Sequence, residues 1–332
     1  MQRLALLCLA LAASSCGSDN GNPFAASPPA RPPAPDAAIL FVSGSWSAEA
    51  GSPRELFAIA ADGSNPQQLT SCARAARPCD FLQVSPSPER SRLIAVRTSP
   101  DAEAGAQSLF FMDLSRSVES VILDKRRVDS ADWSRDGSFI LFASPNAQTT
   151  NEDLFTAQPN GSDEQNLTES LDVRERHARL DPFVRTAAYE RIDGAGVSRV
   201  FLFPQTAVTS GAASGPVLPG TPYAVGSDAD PAFSTDASQV VFRRLTSVGN
   251  GGLGTWELMV TAAATNSVPR AIVSGPLARG APDWGRAGIV FVETDAQAGR
   301  SELVLVQPDG SGRRVLRTES AGGRMGSPRW LN

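Results

Sequence analysis

The sequence predicts an all-β protein, a six-bladed β-propeller of four-stranded blades. Three observations predict this fold. A strand–turn–strand unit recurs about every fifty residues, three series of apolar segments follow one another in fixed order, and the chain ends on a strand without a partner nearby in the sequence. The best-preserved unit spans residues 130–144, where a short strand ends at Trp133, the chain turns at Asp136-Gly137, and a second strand begins at Phe139.

The N-terminal segment is typical of an export signal. Residues 1–15 hold one early arginine and an apolar run that is too short for a permanent membrane span. The run ends in ASSCG, which resembles a bacterial lipobox, so we expect Cys16 to carry lipid, and Gly17 resembles the pattern of outer-membrane sorting. The alternative is plain export with cleavage near Cys16. Residues 16–37, rich in Pro, Ala and Ser, predict a disordered tether before a propeller domain at 38–332.

The composition excludes one class of partner. The 332-residue chain has 30 Lys+Arg and 35 Asp+Glu, which gives a net charge of −5. A mildly acidic chain without a basic run lacks the clustered cations that nucleic-acid binding needs. After export, two cysteines in the polar loop SCARAARPCD would remain besides Cys16. Because no further Cys or His is near in the sequence, Cys72 and Cys79 predict a disulfide rather than a metal site.

Three series of segments define the blades. The first series is the residue that closes the first strand of each unit, at spacings of 49, 51, 49, 51 and 46 residues. Its members are Val84, Trp133, Val184, Phe233, Trp284 and Trp330. The second is an apolar run after the turn, such as residues 140–142, which indicates strands buried on both faces. The third is a strand that leads, in three units, to Asp-Gly-Ser or Asn-Gly-Ser, which predicts a tight two-residue hairpin and a fourth strand.

The two ends of the domain predict that the ring is closed. The first unit lacks a first strand, because the linker leads directly into Ile39, and the last segment, 327–331, is a first strand without the rest of a blade. Sheets that cannot bury both faces alone stack on their neighbours, and radial closure removes exposed edges. We therefore expect strand 327–331 to join the N-terminal blade.

The consensus P-x-W-S-x-D-G-x-x-I-x-F, followed by a strand, D-G-S and L-T, resembles the TolB-type β-propeller repeat. The resemblance covers the domain at 38–332, and it is sharpest at 130–168 and weakest at 182–225, where the turn motif is lost. It implies a six-bladed propeller. TolB itself carries an α/β domain before its propeller, whereas here a signal and a linker precede the first blade, so the partners known for TolB are not expected to transfer.

The sequence argues against an enzyme. The single histidine, His177, lies in the polar stretch RERH, which is expected to be a solvated loop between blades. No G-x-S-x-G elbow is present to supply the nucleophile of a catalytic triad. The resemblance implies the same, because TolB-like propellers similar to metal-dependent pectate lyases would need several histidines.

Acidic residues gather just before or within the predicted first strands, which line the channel of a propeller. Several carboxylates are therefore expected at one channel mouth: Asp80, Asp129, Asp132, Asp181, Asp228, Asp230 and Asp283. Oxygen ligands at this density leave a Ca²⁺ site as an alternative. A solvated acidic rim without a cofactor is favoured, because no D-x-D-x-D-G run is present.

These observations predict a non-enzymatic, monomeric lipoprotein anchored in the bacterial outer membrane. Its propeller is expected to bind an envelope protein or a peptidoglycan-associated component. Two alternatives of other classes stay open: a hydrolase or lyase that acts on a glycan in the channel, and a sensor of a small ligand or metal.

Overall fold

The computed structural model places six β-sheets around a central channel. The residues it describes are 33, 36–45, 53–71, 80–98, 107–114, 118–123, 127–146, 151–204, 225–248, 254–264, 266–320 and 323–331. These residues contain 24 strands, β1 to β24, and no helix. The predicted all-β, six-bladed propeller is confirmed.

Each sheet is one blade of antiparallel strands that succeed one another outward from the channel. Blade 1 contains β1 (Ala37–Ser45), β2 (Glu55–Ala60), β3 (Gln67–Gln68) and the C-terminal β24 (Gly323–Trp330), and blade 2 contains β4 (Asp80–Pro86), β5 (Arg92–Thr98), β6 (Gln107–Asp113) and β7 (Val118–Leu123). Blade 3 contains β8 (Ser130–Trp133), β9 (Ile140–Pro145), β10 (Glu152–Ala157) and β11 (Gln165–Asn166), and blade 4 contains β12 (Arg174–Leu180), β13 (Thr186–Ile192) and β14 (Ser198–Pro204). Blade 5 contains β15 (Asp228–Phe233), β16 (Gln239–Ser247), β17 (Thr255–Ala262) and β18 (Arg270–Val273), and blade 6 contains β19 (Ala278–Arg279), β20 (Asp283–Gly285), β21 (Gly288–Asp295), β22 (Arg300–Val306) and β23 (Arg314–Glu319).

The C-terminal strand closes the ring. β24 is the innermost strand of blade 1 and pairs antiparallel with β1, where Trp330 lies opposite Ile39 and Arg329 opposite Leu40. The backbone N–H of Leu331 adds a hydrogen bond of 2.7 Å to the carbonyl of Ala38. The two ends of the propeller thus share one sheet, as the unpaired strand at 327–331 predicted.

Two blades depart from the four-stranded pattern. In blade 4 the described residues form three strands, in the order β12-β13-β14, and residues 205–224, which follow β14, lie outside the described residues. In blade 6 the innermost strand is divided into β19 and β20, which both pair with β21. The prediction of four strands per blade therefore holds for blades 1, 2, 3 and 5.

The predicted last residue of the innermost strand is wrong in two blades. In blade 4, β12 ends at Leu180, and Val184 lies four residues later in the turn, with a φ of 57°. In blade 2, β4 ends at Pro86, two residues after Val84. Both errors came from counting a fixed spacing, because neither blade has an aromatic residue at the true end of its first strand.

The Asp-Gly-Ser and Asn-Gly-Ser turns are hairpins, but of a different kind from the prediction. In the first, the Gly63 N–H bonds to the Ala60 carbonyl and the Ala60 N–H to the Ser64 carbonyl, both at 3.0 Å. Only the glycine has positive φ, 89°. This pattern is a three-residue loop with a type I turn and a glycine bulge rather than a two-residue turn. A Cβ at Gly63 would lie 2.8 Å from the carbonyl oxygen of Leu316 in blade 6, so the absence of a side chain also permits close packing between blades.

The hydrophobic core lies between the blades, where facing sheets interdigitate. Between blades 2 and 3, Trp133 packs with Ile94 and Phe142, and Phe142 stacks on Phe155 at 5.5 Å between ring centroids. Burying each such large apolar side chain contributes about 1.5–3 kcal/mol. The apolar runs are therefore buried on both faces because each blade contacts two neighbours. Trp133 is 6% exposed and is a structural anchor of blade 3.

Several sequence predictions fall on residues outside the described ranges. The signal at residues 1–15, the lipid-attachment residue Cys16, most of the linker 16–37, and the cysteines Cys72 and Cys79 all lie there. They stay predictions. Within the described residues, the structure offers no helix with the length and apolarity needed to cross a membrane.

Candidate functional site

All six blades contribute to a cavity of about 210 Å³ at one end of the channel, which we call the mouth cavity. It lies at the C-terminal ends of the innermost strands, where the chain of blades 2 to 6 turns into the next strand. Its charged lining residues are three aspartates and three arginines: Asp132, Asp181, Asp283, Arg135, Arg179 and Arg329. The indole rings of Trp133, Trp284 and Trp330 complete much of the wall.

Asp132 and Asp283 are both buried at the mouth cavity and both contact Arg179. The Nη2 of Arg179 donates to Oδ1 of Asp283 at 2.6 Å, and its Nε lies 3.4 Å from Oδ1 of Asp132. Asp132 also accepts hydrogen bonds from Ser85 Oγ at 2.9 Å and from the Leu180 N–H at 3.1 Å. Blades 2, 3, 4 and 6 are therefore joined through side chains in the channel.

Burial raises the pKa of the Asp283 carboxyl above its usual range, although the Arg179 guanidinium opposes this shift. The second oxygen of Asp283 accepts the Trp330 N–H at 2.7 Å, so the carboxyl also fixes the closing strand. Arg329 lies beside it, 2% exposed, and donates from Nε to the Val84 carbonyl at 3.0 Å. The mouth cavity thus has a buried, nearly charge-balanced floor.

A second polar layer lies deeper in the channel and is centred on His177. Its Nδ1 lies 2.6 Å from Oε1 of Glu190 and 3.1 Å from Oδ1 of Asp230, and its Nε2 lies 3.3 Å from Oδ2 of Asp129. Burial opposes the charged form of the ring, but the carboxylates of Glu190 and Asp230 raise the pKa of His177 to about 9. The ring is therefore an imidazolium at neutral pH, held by carboxylates from blades 3, 4 and 5.

Bulges in the innermost strands aim these side chains into the channel. His177 and Asp230 have φ values of 49° and 51°, and each lies three residues before the end of its strand. The strand pairing shifts register at both positions. Ser327 has the same place in β24 and a φ of 46°. Non-glycine residues rarely adopt this conformation, and such bulges re-aim side chains near functional sites.

The prediction of a solvated loop at His177 is wrong. The residue belongs to β12, the innermost strand of blade 4, and its side chain is 22% exposed. Arginines accompany the carboxylates around it: Arg176 contacts Glu190, Arg127 contacts Asp129 at 3.3 Å, and Arg243 bonds to Asp230.

The predicted aspartates do not form one ring. Asp132, Asp181 and Asp283 line the mouth cavity, while Asp129 and Asp230 belong to the His177 layer. Asp181 accepts hydrogen bonds from the N–H groups of Phe183 and Arg185 and thus caps its own turn. The other two pair with arginines away from both layers: Asp80 accepts from Arg54 Nε at 2.7 Å, and Asp228 accepts from Arg244 Nε at 2.6 Å.

Comparison with solved structures identifies the architecture; no family model and no curated protein matches the sequence. The structure of TolB from Acinetobacter baumannii aligns with 89% of this chain at a TM-score of 0.66 and 16% identity. The aligned part is 66% of that chain, so this protein spans about two thirds of its length. The putative TolB from Agrobacterium tumefaciens aligns with 89% of this chain and 98% of its own, at a TM-score of 0.57 and 12% identity. The fold is that of a TolB-like β-propeller.

The same propeller occurs in proteins with different roles. A chain in a nidogen/laminin complex aligns with 89% of this chain and 98% of its own, at a TM-score of 0.58 and 10% identity. A periplasmic gluconolactonase from Pseudomonas aeruginosa aligns with 86% of this chain and 83% of its own, at a TM-score of 0.50 and 13% identity. Identities this low show the fold alone, because one propeller fold serves many functions.

The TolB-like propeller also contains a group that has the ligand types of a metal site. Donor atoms of His177, Glu190 and Asp230 lie within 4.8 Å of one another. Arginines contact two of these residues: Arg176 lies 3.4 Å from Oε2 of Glu190, and Arg243 bonds to Asp230. Cations so close to the carboxylates, together with an imidazolium, compensate the charge that would attract a metal ion. The arrangement therefore fits a salt-bridge network better than a metal centre.

The sequence reasoning missed the arginines of this TolB-like propeller. Arg179 and Arg329 lie in the channel, on β12 and β24, and Arg243 lies on β16. One signal could have found Arg179: the last three residues of RERHARL, Ala178-Arg179-Leu180, alternate apolar and charged residues, as a strand with one polar, channel-facing side does. Its charge alone made the segment resemble a solvated loop.

Proposed function

We propose that this protein is a non-enzymatic, exported lipoprotein of the bacterial cell envelope whose propeller binds an envelope protein or a cell-wall component. In this proposal the signal at residues 1–15 directs export, Cys16 carries the lipid that anchors it in the outer membrane, and residues 16–37 tether the propeller. The mouth cavity is the binding site. The likeness of the fold to a chain in a nidogen/laminin complex supports a role in protein binding.

One observation carries the proposal: the innermost strands of all six blades meet at a concave mouth cavity of about 210 Å³. The cavity combines aromatic walls with charged groups held by hydrogen bonds, as binding sites do. Most of its side chains are buried and fixed in the ring, so little ordering is needed when a partner binds.

The geometry around His177 supports a non-enzymatic role. A general base needs a ring nitrogen that can accept a proton from a nucleophile. Both nitrogens of His177 face carboxylates, and the raised pKa keeps the ring protonated at neutral pH. The serine hydroxyl beside this residue, Ser130 Oγ, accepts a hydrogen bond from the backbone N–H of His177 at 2.8 Å and not from the ring.

The binding role is tested by capture from solubilised envelope with the full-length protein. We expect the wild-type chain to retain a defined partner, and Arg135→Glu, at the exposed rim of the mouth cavity, to weaken capture. Arg300→Glu, on the outer part of blade 6, is the matched control and should leave capture unchanged. Absence of any partner, or equal loss in both variants, would count against the mouth cavity.

Membrane attachment has its own test. A Cys16→Ser variant should move from the membrane fraction to the soluble envelope fraction while its propeller keeps the wild-type unfolding temperature. If the variant still floats with membranes, a lipid on Cys16 is not what holds the protein there.

A second candidate function is a hydrolase or lyase that acts on a glycan in the channel. The observation in its favour is a pair of buried carboxyls, Asp132 and Asp283, with the pKa of Asp283 raised by burial as a general acid requires. Turnover on a panel of envelope glycans, abolished by Asp132→Asn or Asp283→Asn, would establish it. A third candidate, a sensor of a small ligand or metal, would give heat on titration with Ca²⁺, Mg²⁺ or Zn²⁺ in calorimetry.

A further inference from the structure

The mouth cavity has unused hydrogen-bond donors. Four buried N–H groups without a hydrogen-bond partner belong to residues that line it: Nε of Arg179, Nη1 of Arg329, and Nε1 of Trp133 and Trp330. The Arg329 side chain is 3% exposed. A buried polar group left unpaired is destabilising, so four around one cavity need an explanation.

The acceptors at the same place are already used. Oδ1 of Asp132 accepts a hydrogen bond from Ser85 Oγ. Arg179 Nε lies 3.4 Å and Arg329 Nη1 lies 3.8 Å from the same oxygen, but neither nitrogen makes a hydrogen bond to it. Both oxygens of Asp283 accept hydrogen bonds, from Arg179 Nη2 and the Trp330 N–H. Both oxygens of Asp181 are used within its turn. Among the described residues, the unpaired side-chain atoms of this cavity are therefore all donors.

We propose that the mouth cavity binds a carboxylate-bearing group, about the size of one sugar or amino-acid residue, through the N–H groups of Arg179 and Arg329 and an indole N–H. The inference rests on the proposed function, because it names the chemistry that the same site would recognise. A guanidinium matches a carboxylate in shape, and hydrogen bonds between charged partners are about twice as strong as neutral ones.

The size and charge of the cavity fit such a group. A cavity of about 210 Å³ is smaller than the roughly 300–1,000 Å³ of sites for drug-sized ligands. Three arginines face three aspartates there, and the buried N–H groups of Arg179 and Arg329 that lack a hydrogen-bond partner are on the cationic side. Arg135, at the exposed rim, adds attraction for an incoming anion.

The test uses four small probes and the full-length chain. N-acetylalanine is compared with N-acetylalaninamide, and D-glucuronate with D-glucose, by following the indole N–H signals of the ¹⁵N-labelled protein. We expect both acids to shift the Trp133 or Trp330 signal, and each neutral analogue to bind at least about tenfold more weakly. The tighter acid shows whether the carboxylate comes from a peptide end or from a uronic sugar. Equal binding of acids and neutral analogues, or no shift with any probe, would overturn the inference.

Variants separate recognition from folding. Arg179→Gln and Trp133→Phe each remove donors from the mouth cavity, and each should weaken binding of the tighter acid about tenfold. Arg300→Gln should not change it. A variant that has lost its wild-type unfolding temperature is replaced by Arg179→Lys, which keeps the charge, loses the planar fork, and should still weaken binding. Unchanged affinity in the folded variants would contradict the assigned donors.

The inference and the proposed function can fail separately. If the chain captures an envelope partner through the mouth cavity but none of the acids binds, only the carboxylate assignment is wrong. If no partner is captured in any envelope preparation, the scaffold function is wrong whatever the probes do.

Discussion

Nδ1 of His177 lies 2.6 Å from Oε1 of Glu190. Glu190 is fully buried and lies on the neighbouring strand, β13. The same ring contacts Asp129 of blade 3 and Asp230 of blade 5. The single histidine of the chain therefore joins three blades at the centre of the ring, so its protonation should be coupled to the stability of the propeller.

The stability of the propeller should fall as pH rises from neutral to alkaline. The pKa of His177 is raised from 6.5 to about 9 in the folded state, so the proton stabilises the fold fully below pH 6.5, and this contribution is lost as pH rises through about 9. Linkage gives a size on the order of 3 kcal/mol. Urea unfolding at a series of pH values measures it. In His177→Gln the slope between pH 6.5 and 9 should largely vanish; a persistent slope would assign it to other groups.

Removal of the closing strand should unfold the ring. A chain that ends at residue 322 lacks β24, which supplies the innermost strand of blade 1, buries Trp330 and accounts for one hydrogen bond to Asp283. Losing an indole from a core alone costs about 3–5 kcal/mol. We expect no cooperative thermal transition in calorimetry. Addition of a synthetic peptide of residues 323–332 should restore part of it, whereas a truncated chain with the wild-type transition would contradict ring closure.

Gly285 should not tolerate a methyl group. A Cβ at this position would overlap the ring of Trp330, where the closing strand packs on blade 6. Overpacking of this kind costs about 1–3 kcal/mol, so Gly285→Ala should lower the free energy of unfolding by that amount. Gly280→Ala is the control in the same blade, because its nearest contact would be an ordinary 3.6 Å from Val292. Equal effects at the two sites would show that Trp330 is not the cause.

The turn of blade 4 should be stabilised by glycine. Val184 has a φ of 57°, a conformation that is costly for a β-branched residue, and the equivalent residue of blade 3 is Gly137 with a φ of 75°. Val184→Gly removes this strain but adds the larger backbone entropy that glycine loses on folding. The net effect should be a rise of roughly 0.5–1 kcal/mol in the free energy of unfolding. The reverse change, Gly137→Val, has no atom closer than 4.0 Å to its new Cβ and should destabilise by a similar amount. Opposite signs would show that the backbone conformation is not the source of strain.

The sequence predicts the fold well because the signals of a propeller are local. Trp133, the turn at Asp136-Gly137 and the apolar run after it lie within fifteen residues. In the structure Asp136 Oδ1 accepts the Ser138 N–H at 3.1 Å, and so it forms the turn as a strand–turn–strand unit requires. Ring closure was predictable as well, since an unpaired first strand at one end matches a blade without one at the other.

The candidate site was only partly predictable, because its contacts are long-range. Asp132 and Asp283 could be placed near one mouth from their position in the repeat, but their partner Arg179 reaches Asp283 across the channel, 104 residues away in sequence. His177 was misjudged for a related reason: a bulge with positive φ, which no residue pattern near it signals, turns a strand that looks solvated into the centre of the ring.

The central claim is that a partner binds at the mouth cavity, and site-specific photo-cross-linking in intact cells tests it most directly. A photoreactive phenylalanine analogue replaces Arg135, at the rim of the mouth cavity, or Arg300, on the outer part of blade 6. The account predicts a discrete cross-linked species from position 135 that is absent from position 300 and is reduced when Arg179→Gln is added. Cross-links from position 300 alone, or the same species from both positions, would contradict it.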